Sequence, residues 1–509
     1  CHGSERSIGV ALGRGELLRA VRFDRGMPAV DAMKSRDASR WVSPRAFRLF
    51  WDSHSFAGVL FGLALFVIFY AGAFSRFRAE IMVWADPALG RPVVTDGAMP
   101  DANDVILPLL ETTPPAPGTH VMIVYPFAGR AFYWLRYDAD EGGRVDTWVG
   151  ADSGDTVPPR GRSRLSEILY KLHYFQQLGT FGRVTSGIVA VVLGFGLVSG
   201  LLIHLHKLPE RLHTFRPRAA LKVALADVHA ALGTIGLPFT LMYAMTGAFF
   251  SLLIVLLGPT ILLVFDGDQE AIDALLSGVR APVVETGDAP ASMMTPDALT
   301  GLLATRWGRF EPLRLDYHGW GREGARPTVE GAEPETLTTS GKALLDPETG
   351  RVLQSVAPRR ANSLGRTVAV MTHLHFASFG GLVLDLVFFV LALAASAVIV
   401  TGNLLWLLAR RAKDARSTPW VHRMLARLTV GVSAGLTAAV PLTFVISQAL
   451  PLDAPGRRAV EDAAFFGGWL TFILLAFRGR STLSALRWEL GLGRPLGRGR
   501  RREPPRPAA

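Results

Sequence analysis

Long apolar runs are the feature that most constrains how this chain of 509 residues can fold. Six stretches contain at most one Asp, Glu, Lys or Arg: 56–74, 184–205, 228–265, 376–408, 428–452 and 463–477. A helix needs about 20 apolar residues to cross the ~30 Å hydrocarbon core of a bilayer. Six such runs favour membrane-spanning helices over the buried helices of a soluble core. The sequence therefore predicts an α-helical integral membrane protein with about six transmembrane helices.

The boundaries of these spans follow from the charged residues that flank each apolar run. The predicted spans are 45–78, 171–206, 227–263, 371–409, 428–452 and 463–478. The third run is longer than one crossing, and Pro259 is expected to end its helix. Residues 1–44 lack an apolar stretch suited to a signal peptide and are expected to form a disordered extension, and 479–509 a basic tail.

The distribution of charge predicts the orientation of the spans. The segments 34–55, 206–227, 409–427 and 478–509 sum to +18, whereas 75–183, 266–375 and 451–462 sum to −7. Because basic connections stay in the cytoplasm, both termini and the loops 207–226 and 410–427 are expected there, in an inner membrane. The net charge of +11 then reflects topology and lipid contact, and no nucleic-acid partner is expected.

Two connections are too long to be plain loops. Residues 79–170 and 264–370 are each expected to form a small folded domain on the external side. Within the second, 344–353 reads as a strand, a turn over DPETG and a second strand. The single cysteine, Cys1, excludes a disulfide framework and a thiolate cluster.

An internal repeat relates the first two spans to the third and fourth. From His54, glycines follow at +4 and +18, and the same offsets from His229 again give glycine. From His173, a glycine follows at +6 and Ser-Gly at +26, and from His375 the same offsets give Gly and Thr-Gly. A parallel duplication of a two-helix unit makes His54 and His229 symmetry mates at the cytoplasmic face, and His173 and His375 mates at the external face.

Paired imidazoles at both faces suit haem with two axial ligands, an arrangement that favours electron transfer over oxygen binding. The four histidines therefore predict two haem groups of b type, with haem iron as the metal. His204, which maps onto Trp406 in the repeat, remains an alternative cytoplasmic ligand, and His373, two residues before His375, remains an alternative external one. The remaining histidines are expected at the surface: His2, His120, His206, His213, His318 and His422. No catalytic acid, base or nucleophile is identified.

Two further expectations concern the external histidines. Each lies ten residues before a charged residue of its span, Arg183 or Asp385, which would place it above the membrane if the helix were continuous. Helix breaks at Gly179 and at Gly380 and Gly381 could instead fold both histidines back over the bundle. Arg183 and Asp385 occupy equivalent places and could form an ion pair, or could each face solvent.

With these motifs in place, residues 45–410 resemble the PepSY-associated transmembrane family, which includes di-haem reductases of ferric siderophores. The resemblance rests on HSFAGVLFGL, LHYFQQLG, DVHAALGTIGLPF, DPETG, HLHFASFGG and TGNLLW. It implies that the external domains are PepSY-like α/β units and that electrons flow outwards. The spans at 428–452 and 463–478 lie outside the four-span core of those reductases.

The expected function is an inner-membrane oxidoreductase that passes electrons from a cytoplasmic flavoprotein or a quinol to an external ferric chelate such as a siderophore, releasing Fe(II). No Gly-rich dinucleotide-binding motif follows a strand, so the donor is expected to be a separate molecule. Two other readings remain: a non-enzymatic membrane protein that binds or regulates an external peptidase, and a siderophore permease.

Overall fold

The computed structural model describes residues 43–89, 101–126, 132–151, 153–157, 163–205, 214–280, 287–333, 340–377, 379–410 and 419–478. Within these residues six helices are long and apolar enough to cross a membrane. They are span 1 Pro44–Ser75, span 2 Gln176–His204, span 3 Leu237–Val264, span 4 Gly381–Ala409, span 5 Trp420–Ala449 and span 6 Arg457–Arg478. The six predicted spans are therefore confirmed. The expected disordered extension, apart from residues 43 and 44, and the expected basic tail lie outside the described residues.

Shorter helices lie between the spans. They are α1 Arg78–Ala85, α2 Ala102–Thr112, α3 Leu165–His173, α4 Leu221–Ile235, α5 Gln269–Ser277, α6 Pro296–Trp307 and α7 Ser363–Phe376. Span 1 begins where Ser43 caps the helix by accepting the amide of Ala46, with Pro44 in the first turn. The helices that carry His173, His229 and His375 end at breaks in the chain.

Helix breaks separate three of the histidines from the spans to which the sequence assigned them. Phe175 and Gly179 have φ of 56° and 62°, which ends α3 before span 2. Ala377 and Gly381 have φ of 48° and 57°, which ends α7 before span 4. A positive φ cannot continue a right-handed helix, so the predicted breaks at Gly179 and Gly381 are confirmed.

The third span differs from its prediction at both ends. Helix α4, which carries His229, stops at Gly236, and span 3 starts at Leu237 with a proline in its first turn. The expectation that Pro259 ends this helix is wrong, because span 3 continues through it to Val264. Proline is tolerated within membrane helices, where local adjustments and neighbouring groups compensate the missing N–H.

Span 1 is the central helix of the bundle, and spans 2 and 4 both pack against it. Its buried face includes Leu65, Phe69 and Ala73, which contact residues of spans 2, 3 and 4. Spans 5 and 6 form a hairpin in which Gly435 lies against Phe472 and Trp469. Small residues at such contacts let helix backbones approach closely.

The two long connections build one sheet. The strands are β1 His120–Val124, β2 Phe132–Asp138, β3 Arg144–Gly150, β4 Thr156–Val157, β5 Glu311–His318, β6 Arg326–Ala332, β7 Ser340–Leu345 and β8 Val352–Val356. Their order is β4-β3-β2-β1-β5-β6-β7-β8, and every neighbouring pair is antiparallel. Each connection supplies four strands, and β1 pairs with β5 across the boundary between them.

This joint sheet differs from the expectation of two separate small domains. One hydrophobic core contains Ile123 and Tyr133 of the first connection together with Leu315 and Tyr317 of the second. Helices α2 and α6 cover this core, and the Asp297 carboxylate accepts the amides of Ala102 and Asn103. An unpaired strand edge leaves backbone N–H and C=O groups without hydrogen-bond partners. The pairing of β1 with β5 therefore satisfies these groups in both halves of the sheet.

The turn over DPETG is confirmed. It joins β7 to β8, with Gly350 at φ of 67° and the Asp346 carboxylate accepting the amide and hydroxyl of Thr349. These hydrogen bonds lower the pKa of Asp346. Gly154 has φ of 70° in the turn before β4, which matches the position of Gly350 between the other two strands.

Three histidines expected at the surface have partners. His120 and His318 lie opposite each other on β1 and β5, with parallel rings whose centroids are 4.8 Å apart. The Asp316 carboxylate lies 2.8 Å from His120 Nε2. His422 is half-buried and stacks on Trp406. His120 is exposed, as expected, whereas the expectation of a surface position is wrong for the half-buried His318 and His422; the others lie outside the described residues.

The stacked histidines predict a pH dependence of stability. Burial and the neighbouring His120 lower the pKa of His318 from 6.5 to about 4. The unfolded chain therefore takes up a proton near pH 6.5 that the folded protein refuses until about pH 4, so stability falls as pH decreases through this window. Thermal unfolding of the full chain in detergent should show a larger loss between pH 6.5 and pH 4 for the wild type than for His318→Gln. Parallel pH profiles for the two proteins would contradict this expectation.

Candidate cofactor site: two histidine pairs in the helix bundle

His54 of span 1 and His229 of α4 form the first pair, here called the 54/229 pair. Their ring centroids are 6.2 Å apart, and the ring planes are nearly perpendicular. His54 Nδ1 lies 2.8 Å from the carbonyl oxygen of Gly196, and His229 Nδ1 lies 2.9 Å from that of Val398. A carbonyl can only accept, so each Nδ1 carries the proton and each Nε2 has a free lone pair for a metal.

The contacts of the two rings match at repeat-equivalent positions. Gly196 precedes Gly200 by four residues in span 2, and Val398 precedes Gly402 by four in span 4. A Cβ atom at Gly200 would lie 2.9 Å from His54 Cε1, and one at Gly402 would lie 3.0 Å from the same atom of His229. Both glycines therefore make room for an imidazole against the neighbouring helix.

His173 of α3 and His375 of α7 form the second pair, here called the 173/375 pair. Their ring centroids are 6.1 Å apart. His173 Nδ1 lies 2.8 Å from the carbonyl oxygen of Ile68, and His375 Nδ1 lies 2.9 Å from the hydroxyl of Thr246. Ile68 lies within span 1, so the break after α3 does fold His173 back into the bundle.

The two pairs lie at different depths along span 1. His54 and Ile68 are separated by 14 residues, or ~21 Å at 1.5 Å per residue. Gly72, where a Cβ atom would approach His173 Nδ1 to 2.6 Å, is another turn further on. A separation of this size is a large part of the ~30 Å hydrocarbon thickness.

Apolar and aromatic surroundings enclose both pairs. Next to His54 there is a cavity of about 370 Å³ between spans 1 and 2. Its lining residues are Ser53, Phe56, Ala57, Phe61, Val192, Phe195 and Ser199. The His375 ring contacts the rings of Tyr243, Phe250 and Phe376 at centroid distances of 5.1 to 5.2 Å. A flat apolar cofactor suits such pockets better than a hydrated ion.

The ligand count favours a macrocycle over a bare metal ion. Among the described residues no group of three or more His, Cys, Asp and Glu side chains is arranged to hold a metal. A structural zinc site needs four protein ligands, whereas a haem iron needs only its two axial ones. Rings on opposite sides of one metal have centroids about 6 Å apart, with metal–nitrogen bonds of about 2 Å and about 1 Å from nitrogen to centroid. The observed separations of 6.2 and 6.1 Å fit this geometry.

The pairs consist of the four repeat-matched histidines. The alternatives His204 and His373 are not needed to complete either pair. Sequence reasoning missed Tyr243, whose hydroxyl donates to the carbonyl oxygen of His375, and Thr246. Both lie within one helical turn before Gly247, a repeat glycine, and that position was the available signal.

The proposed pairing of Arg183 with Asp385 is wrong. Asp385 is paired with Arg76, which follows span 1, at 2.6 Å. Arg76 also donates to the carbonyl oxygen of Phe376, the residue after His375, while Arg183 donates to the carbonyl oxygen of Phe250. The acid is instead paired with a base at the end of the adjacent helix. The Arg76–Asp385 pair thereby connects spans 1 and 4 with the end of α7.

Six spans, packed with the short helices that bear the two histidine pairs, define a multi-pass helical membrane protein. A family model described as the PepSY-associated TM region matches residues 51–409. The chain therefore belongs to the PepSY-associated transmembrane family, as the sequence motifs predicted. The uncharacterized protein PA4219 of Pseudomonas aeruginosa is 28% identical over 311 residues, which are 57% of this chain and 76% of that protein. Its name assigns no activity.

The Arg76–Asp385 pair predicts a strong asymmetry between single and double substitutions. Removing one partner of a largely buried ion pair costs about 3–5 kcal/mol, because the other charge is left uncompensated. Asp385→Ala should therefore lower the free energy of unfolding by several kcal/mol, whereas Arg76→Met with Asp385→Leu should stay close to wild type. Denaturant unfolding in detergent measures both. A single variant as stable as the wild type would contradict the role assigned to this pair.

Proposed function

We propose that this protein is a di-haem oxidoreductase of a bacterial inner membrane, which carries electrons from the cytoplasmic side to a ferric chelate outside. The observation that carries the proposal is the presence of two imidazole pairs with centroids 6.2 and 6.1 Å apart, ~21 Å from each other along span 1. Haem b bound between each pair would supply a one-electron Fe(III)/Fe(II) couple. The residues of the chain would bind the haem groups, orient them and exclude water from them.

The histidines would serve as the axial ligands, and their Nδ1 contacts would orient them. A carbonyl that accepts the Nδ1 proton fixes the tautomer, holds the ring plane and raises the basicity of Nε2. Gly196 and Val398 supply these carbonyls to the 54/229 pair, and Ile68 supplies one to His173. Phenylalanine side chains along the cavity beside His54 would exclude water from the cofactor.

The duplicated two-helix unit explains why the ligands come in equivalent pairs. We infer that spans 1 and 2 repeat as spans 3 and 4, since the contacts of His54 recur at His229 with the same residue offsets. A pseudo-two-fold axis along the membrane normal would then pass between the members of each pair. The sum of +18 on the connections near the 54/229 pair supports a cytoplasmic position for that pair.

The direction of electron flow follows from this orientation. A separate flavoprotein or a membrane quinol would give up electrons on the cytoplasmic side, where the 54/229 pair lies. Each ferric ion outside would receive one electron and become Fe(II), which oxygen-rich chelators hold less firmly than Fe(III). The acceptor would bind near the 173/375 pair and the eight-stranded sheet. A ferric siderophore is the acceptor class that the family resemblance implies.

The alternative functions leave the paired histidines without a role. A protein that restrains an external peptidase needs the sheet but has no use for imidazoles at two depths of the bundle. A permease that works by alternating access would carry broken helices at the midplane, whereas the breaks at Phe175, Gly236 and Ala377 adjoin histidine-bearing helices at the ends of spans. We therefore favour electron transfer.

The proposal predicts two haem groups for each chain. Reduced-minus-oxidised absorption spectra of the full-length protein, purified after expression with haem supply, should show b-type bands and about two haem groups per chain. His229→Ala should remove one haem and His173→Ala the other, while the control His318→Gln, in the sheet, should keep both. A wild-type protein without a reducible haem band would refute the proposal, and full haem content in His229→Ala would refute that assignment.

The close packing of Gly200 predicts a more specific effect. A Cβ atom there would lie 2.9 Å from His54 Cε1, whereas one at Gly196 on the same helix meets nothing within 4 Å. Overpacking costs about 1–3 kcal/mol, or ~5- to 150-fold in affinity. Gly200→Ala should therefore weaken haem binding at the 54/229 pair by at least ~5-fold in titrations of the apoprotein. Gly196→Ala should bind haem normally, and equal effects of the two substitutions would contradict this packing argument.

A further inference from the structure

We propose that the hairpin of spans 5 and 6 is a positioning element for the 173/375 pair, and that Glu461 holds the start of helix α3 so that His173 at its end stays in the pair. The inference rests on the proposed haem function, because it concerns the ligand geometry of one of the two haem sites. The hairpin lies outside the matched region 51–409, so the family match does not account for it.

Glu461 is fully buried, and its carboxylate binds the residues that precede α3. It accepts the hydroxyl of Ser163 at 3.0 Å and the backbone amide of Arg164. The first amides of a helix have no partner within the helix, and a negative charge at that end also stabilises the helix dipole. An acid from span 6 thus supplies an acceptor for the amide of Arg164, next to Ser163, whose hydroxyl accepts the amide of Leu165.

Arg457 holds Glu461 in place and connects it to span 5. The two side chains are 3% and 0% exposed, and Arg457 Nε lies 3.2 Å from the Glu461 carboxylate. The guanidinium also donates to the carbonyl oxygens of Ser447 and Leu450, both at 2.6 Å, where span 5 ends. Arg457 therefore compensates the charge of Glu461 within the hairpin, and the same carboxylate also contacts the start of α3.

A second set of charges connects the same two elements. The Glu167 carboxylate in the first turn of α3 is bound by Arg458 at 2.6 Å, Arg164 at 2.7 Å and Lys171 at 2.5 Å. Burial opposes this charge, but the hydrogen bonds outweigh burial and lower the pKa of Glu167 to about 2. Arg164 also pairs with Asp462 of span 6 at 3.1 Å. Two sets of charged contacts thus attach the start of α3 to the hairpin.

Apolar contacts complete the attachment along the length of α3. Its buried face packs into one cluster with spans 1 and 5 and with Phe465, which lies in the π-helical turn Ala463–Gly467 of span 6. The α3 members of the cluster are Leu165, Ile168, Leu169 and Leu172. Leu172 directly precedes His173, and the chain turns away at Phe175. A helix of nine residues is a short rod of ~13 Å, so a shift at its start moves the imidazole at its end.

The counterpart helix α7 is held without the hairpin. Its start is capped by Asn362, whose amide donates to the carbonyl oxygen of Leu275 in α5, and its end is bound by Arg76. The Glu461 end of the hairpin therefore contacts the helix of one histidine, His173, whereas the opposite end of span 5 packs Ala426 into a cluster with Leu225 of α4. This asymmetry predicts a selective effect on the 173/375 site with no effect on the 54/229 site.

The test compares variants of the full-length haem protein in detergent. The variants are Glu461→Ala, the double substitution Arg457→Met with Glu461→Leu, and the control Asp453→Asn in the exposed loop of the same hairpin. The readouts are haem content, the midpoint potential of each haem and the low-temperature EPR spectrum. The haem that is lost in His173→Ala identifies the 173/375 signal.

We expect Glu461→Ala to lose or shift the 173/375 signal, with loss of up to about half of the bound haem, and to leave the 54/229 signal unchanged. Apolar replacement of a buried ion pair preserves stability, so the double variant should unfold close to wild type and still show the altered 173/375 signal. Asp453→Asn should match the wild type.

Two outcomes would overturn the inference. One is an unchanged 173/375 signal in Glu461→Ala, and the other is a double variant in which restored stability also restores that signal, as a purely structural hairpin would give. A wild type without haem would instead refute the proposed function itself, so the two failures can be told apart.

Discussion

The burial of four imidazole rings inside an apolar bundle is the constraint on which the rest of this structure depends. A buried polar group is costly unless it is hydrogen-bonded, and helix carbonyls are already engaged within their own helices. His54, His229 and His173 each reach a backbone carbonyl that lies four residues before a glycine of the neighbouring span. The glycine removes the side chain that would block this approach. Helix packing and ligand orientation are therefore set by the same contact.

Helix breaks are the second requirement, because three of the four histidines do not belong to a span. If α3 and α7 continued into spans 2 and 4, His173 and His375 would lie beyond the apolar bundle. Positive φ at Phe175 returns α3 towards span 1, and positive φ at Ala377 returns α7 towards span 3. After these breaks, contacts from other helices have to hold α3 and α7 in place. Arg76 with Asp385 supports α7, and the hairpin of spans 5 and 6 supports α3.

Much of the candidate site could be predicted from the sequence, because matched positions in the two halves of a repeat support each other. Four histidines at matched offsets identified the pairs, whereas the contacts of His54 with Gly200 and of His229 with Gly402 of the neighbouring span were not predicted. Partners outside the repeat could not be found in this way. The pairing of Asp385 with Arg76, and of Glu461 with the amide of Arg164, joins residues about 300 positions apart without any periodic signal. A charge in an apolar run indicates that a partner exists but not which one.

The sequence by itself determined the number of spans, the breaks after His173 and His375 and the identity of the paired histidines, because hydropathy and repetition are local properties of the chain. The tertiary structure decided that the two long connections share one sheet, that span 3 continues through Pro259, and that the hairpin of spans 5 and 6 packs against α3. Strand edges, like buried charges, are satisfied by whichever group the fold brings close. Which group that is depends on packing between distant segments, and no pattern within either segment specifies it.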